Sequence, residues 1–209
     1  MRWTRNVVAG GSLALVATAT TLGALGLGSD PAPADAAAGK VELLAQKNIS
    51  LLKQNLNEVS AQQKLERAEA AAVLDLPAGT AFVAPESFEG LRTQVNALEA
   101  QQRSRSFTKS AAEEPSLYWY EEGFFTSLMA IDWQCAWLST GVAQVESGEM
   151  DDVRETVETL RSFASTEYAS AFPDYAAFLT DQVDPLLEGE TDGARSFFPN
   201  CSASTLADG

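Results

Sequence analysis

The chain contains no histidine. Within one polypeptide that absence excludes Ser-His-Asp and Cys-His nucleophile systems, His-ligated zinc and two-His iron sites. Cysteine is nearly as scarce: Cys135 and Cys201 are the only two, too few for a four-thiolate metal centre. No glycine-rich phosphate loop of the G-x-x-x-x-G-K type occurs. Cations are scarce in one half, where residues 110–209 hold three Lys or Arg against nineteen Asp or Glu and carry nearly all of the net charge of −15. That field repels nucleic acid and anionic headgroups, so no nucleic-acid partner is expected. A basic partner or bound cations would use such a surface, but an acidic surface more often simply keeps an exported protein soluble. Strand patterning is confined to Ala81-Phe82-Val83, and no internal repeat is present.

What is present begins with a leader. Arg2 and Arg5 precede an uncharged run from Val7 to Ser29, followed by Ala32-Pro33-Ala34 and Ala34-Asp35-Ala36. These are the charged, hydrophobic and small-residue regions of a secretory signal over residues 1–36, with cleavage expected after Ala34 or Ala36. An uncleaved anchor over residues 7–28 is the alternative, because the run is long enough to span the roughly 30 Å hydrocarbon layer. Pro31 and Pro33 are expected to break a helix just beyond it. In either case the rest of the chain is expected outside the cytoplasm, with the membrane touched only through that segment. An even cysteine count in an oxidising compartment predicts a Cys135–Cys201 disulfide.

The remaining chain predicts an all-α fold, a long helical hairpin followed by a small helical bundle around a buried aromatic helix. Residues 36–74 are rich in Ala, Leu, Gln, Lys and Glu and read as one long helix. Its apolar line through Ile49, Leu52, Leu56 and Val59 is interrupted by Gln63 and Glu66. Leu76-Pro77-Ala78-Gly79 ends it, and a second helix opens at Pro85-Glu86-Ser87 with Phe88, Leu91, Val95 and Leu98 on one face. The hairpin is assigned to residues 37–104, a polar linker to 105–114 and an acidic helical domain with one disulfide to 115–209.

The aromatic helix is predicted from Pro115 to about Glu146. At about 100° per residue, Trp119, Trp133 and Trp137 share one face of it, opposite an apolar face through Phe124, Leu128, Ile131, Cys135 and Leu138. These tryptophans are either core or a stripe that grips a ligand or partner. Shorter helices follow around Val153 to Phe163 and from Phe172-Pro173-Asp174, disturbed at Pro185.

Catalytic patterns are weak. Ser50-Leu-Leu-Lys53 and Ser106-Phe-Thr-Lys109 match S-x-x-K, but its companions S-D-N and K-T-G are missing. Glu121 and Asp132, on one helix face, would lie about 16 Å apart, too far for a glycosidase pair. Glu188, Glu190 and Asp192 imitate a calcium loop whose twelfth position is Pro199 rather than Glu. Asn48-Ile-Ser50 and Asn200-Cys-Ser202 fit the N-glycosylation pattern, which matters only in a source that glycosylates exported chains.

The expectation is therefore a non-catalytic exported protein without cofactor or metal, acting through an unknown protein partner or self-association. Trp119, Trp133 and Trp137 are its candidate binding residues. A small-molecule or glycan module using a Trp-lined face is the alternative, and a carboxylate-dependent enzyme the third.

Overall fold

A computed structural model describes residues 32–206, with side chains from residue 37. The body of the expected leader therefore lies outside the described residues. No described helix is long and apolar enough to cross a membrane. The fold is all-α: among the described residues there are six α-helices, joined by loops and by short 3-10 and π turns, and no strand.

Helix α1 spans Ala32–Ala71, about 60 Å at 1.5 Å per residue. It begins earlier than the proline argument allows, because Pro33 falls in its first turn, where the missing N–H has no helical partner to lose. The chain turns through residues 72–88 and returns as α2, Glu89–Ser104. The pairing is antiparallel, since Lys53 binds Glu99 at 2.5 Å while Gln63 faces Glu86. Leu52 and Val59 of α1 pack on Leu91 and Val95 of α2, and Phe88 and Phe125 close that cluster. The predicted start of α2 at Pro85 is displaced to Glu89, because Phe88 occupies the left-handed region (φ 53°) and cannot continue a helix backwards. Its buried ring, 6.1 Å from Tyr120 and 6.2 Å from Phe125, holds that strained backbone in place.

Helices α3, Phe124–Ser147, and α4, Met150–Ser162, form a second antiparallel pair about Gly148. The chain then wraps them with α5 (Tyr175–Phe178), a π turn, a 3-10 turn holding Pro185, and α6 (Asp192–Phe197). Val153, Val157, Leu160, Phe163, Val183 and Leu186 are completely buried or nearly so around α3. Tyr175 is buried there too, its hydroxyl donating to the Leu160 carbonyl at 2.6 Å, and burial raises its phenol above the ordinary tyrosine range. Cys135, at the centre of α3, is bonded to Cys201, with Cα atoms 5.7 Å apart, so the tail lies on the aromatic helix.

Candidate functional site

The aromatic helix starts nine residues later than its composition suggests. Gly123 takes φ +81°, which stops the helix there. The free N–H groups of the first turn are then satisfied from α1: Glu66 accepts from Gly123 N at 3.0 Å and from Phe125 N at 2.8 Å. A carboxylate at a helix N-terminus also suits the helix dipole. Residues 113–122 are consequently an extended strap rather than helix.

That strap lies along α1 and is held through its main chain. Asn48 donates to the carbonyls of Ala111 and Glu113, at 2.9 and 2.7 Å. Seven residues on, Asn55 pairs with both the carbonyl and the N–H of Tyr118, at 2.9 and 2.8 Å. Seven further, Gln62 donates to the Glu121 carbonyl at 3.0 Å, and Glu66 closes the series. From α2, Gln94 pairs with the carbonyl and N–H of Ser116, both at 3.1 Å. The Tyr118 hydroxyl fits against Gly90, where a Cβ would sit 2.2 Å from it. The expected linker is thus bound at its end: Ala111 is buried and Asn48 fastens it.

The three tryptophans do not form one stripe. Trp119 sits on the strap and is 77 % exposed. Trp133 is 4 % exposed and stacks on Phe163, with ring centroids 5.5 Å apart. Trp137 is half-buried beside it, and both indole N–H groups donate to the Asp75 carbonyl, at 2.8 and 2.9 Å. Helical spacing groups Trp133 and Trp137 correctly, but Trp119 precedes the helix.

The carboxylates separate for the same reason. Glu121 and Glu122 are exposed on the strap, so the 16 Å spacing along one helix does not apply to Glu121. Asp132 is half-buried on α3 and accepts from Val83 N at 3.1 Å, while Arg67 donates to the Val83 carbonyl at 2.6 Å. Burial raises the Asp132 carboxyl above the ordinary Asp range, partly offset by the Val83 N–H and the Arg67 charge.

The serine–lysine patterns are turned to other partners. Ser50 donates to its own helix at Gln46, Lys53 binds Glu99, and Ser106 pairs with Ser104. Asn48 of the first glycosylation pattern is buried and engaged, whereas Asn200 is exposed. Among the described residues no group of three His, Cys, Asp or Glu is placed to hold a metal ion. Two shallow cavities, of about 190 and 240 Å³, lie beside Glu122, Glu167 and Tyr168 and between Asn48, Gln94 and Gln101. Both fall below the roughly 300–1,000 Å³ of usual ligand pockets, and no tryptophan lines either.

Sequence reasoning missed the ladder of Asn48, Asn55, Gln62 and Glu66. Its signal was available: two asparagines seven residues apart, poor helix formers inside an otherwise strong helix, and polar residues in the apolar line. No family model matches the chain, and no curated protein and no solved structure matches it.

Proposed function

We propose that this protein acts outside the cytoplasm as a non-catalytic partner of another protein and that Trp119 anchors the contact. One observation carries the reading: a tryptophan 77 % exposed stands on a strap whose main chain is fixed from α1 and α2. A large aromatic surface on a pre-ordered backbone loses little freedom on binding, which is the character of an interface hot spot. Trp133 is buried and Trp137 half-buried beside it, each spending its N–H on Asp75. The leader pattern and the Cys135–Cys201 disulfide support an oxidising, extracytoplasmic setting.

The test places a photo-crosslinking phenylalanine analogue at position 119 in the source cell. A discrete adduct, to another protein or to a second copy, supports the reading; absence of any adduct from abundant, folded protein ends it. Trp119→Ala should change stability by no more than about 0.5 kcal/mol, because the side chain is mostly in water. Intact mass of the exported protein checks the compartment, with a mature start at Asp35 or Ala37 expected.

A further inference from the structure

We propose that the outer edge of the strap, at Leu117 and Trp119, takes up an extended Lys- or Arg-bearing segment of a partner protein by strand addition. This rests on Trp119 being a binding residue and adds the chemistry of what it binds.

In an extended chain, residues two apart turn their N–H and C=O groups to the same edge. Ser116 and Tyr118 turn theirs inward, each pairing through both groups with Gln94 and Asn55. Because the intervening peptide bonds are trans, the N–H and C=O of Leu117 and the N–H of Trp119 turn away from those partners, although the Leu117 side chain is itself half-buried. Among the described residues the main-chain groups of Leu117 and Trp119 have no hydrogen-bond partner. One side of a ladder is complete and the other is open, the arrangement that accepts an added strand.

Charge selects the occupant. Residues 110–153 contain no Lys or Arg. Glu113, Glu114, Glu121 and Glu122 flank Trp119 along the strap, all exposed. A cation is attracted both by the indole face and by these carboxylates. A second copy would bring the same four carboxylates to the edge, and like charges across paired strands repel. An extended segment alternating small apolar with cationic residues fits both the edge and the field.

The probe is an acetylated, amidated seven-residue peptide alternating valine with lysine or arginine, titrated into the isotopically labelled full-length protein and followed by amide NMR. Saturable shifts at the Leu117 and Trp119 amides and the Trp119 indole are expected. Trp119→Ala should weaken binding about tenfold and Glu121→Gln with Glu122→Gln about threefold, the latter effect fading at high salt. N-methylation along one peptide edge should abolish the shifts, while methylation along the other leaves them. Equal binding of a glutamate-for-lysine peptide, indifference to methylation on both edges, shifts centred elsewhere, or no binding at millimolar peptide would each overturn strand addition by a basic segment. An adduct at position 119 in the cell alongside any of these results would leave Trp119 as a contact and remove only this mode. Concentration-dependent self-association through Leu117 would assign the edge to a second copy and overturn the proposal too.

Discussion

The two regions that share α1 are held together by opposite means. Around α3, the bundle is closed by apolar side chains, with Leu160, Phe163, Val153, Val157, Val183 and Leu186 taken almost wholly out of water. Along α1 and α2, a smaller apolar cluster is supplemented by Asn48, Asn55, Gln62, Gln63, Glu66 and Gln94, each of which binds main chain of another segment. Apolar packing stabilises without direction and tolerates exchanges of similar volume. Amide and carboxylate pairing with a backbone fixes register and direction, at the cost of leaving buried groups unsatisfied if one partner is lost. The region that presents Trp119 is thus the directional one.

Removing a large side chain from the apolar region should have the largest effect. Trp133→Ala leaves a cavity against Phe163 and removes one of the two indole donors to the Asp75 carbonyl, and a loss of about 3–5 kcal/mol is expected in urea unfolding. If Tyr118 and Phe163 amides then exchange at a common rate, the two regions unfold as one unit; different rates would separate them. Reduction of Cys135–Cys201 opens a loop with a sequence separation of 66. A loss of up to about 4 kcal/mol follows on the chain-entropy account, read as the urea midpoint with and without reductant.

The polar region breaks at Glu66. Glu66→Ala strands the N–H groups of Gly123 and Phe125, and about 2–3 kcal/mol should be lost, with faster exchange at those two amides before any change around Phe163. The smallest effect is expected at Asp132, between the two regions. Its carboxyl is raised by burial, so the folded state holds this proton more firmly than the unfolded chain. The resulting stabilisation is complete below the ordinary Asp value of 3.8 and disappears as pH rises through the raised folded value. Asp132→Asn keeps an acceptor for Val83 N–H and avoids the buried charge. It should exceed the parent in stability at neutral pH and lose that advantage on acidification, as urea midpoints at both pH values would report.

Legibility followed the same division. Helices α1, α2 and α4 announce themselves through composition, turn residues and apolar spacing, and the disturbance at Pro185 falls where the π turn that follows α5 gives way to 3-10. The start of α3 was not legible, since residues 115–122 are aromatic, lack glycine and fit the helical repeat. What stops the helix is the backbone of Gly123 together with a carboxylate contributed from 57 residues earlier. Gln63 and Glu66 read as defects in a helical seam, yet they are the points at which α1 grips Glu86 and the start of α3.

The order of residues alone determined the helical class, the exclusion of histidine chemistry, the uneven charge and the only intramolecular cysteine pair available. These depend on composition and on short-range periodicity, which are local properties. Tertiary structure decided that Trp133 is buried and Trp137 half-buried beside it while Trp119 faces water, and that a polar stripe on α1 is a cradle for main chain rather than a solvated face. A buried amide and an exposed one are the same letter, and only the arrival of a distant backbone, with its own N–H and C=O groups to satisfy, distinguishes them.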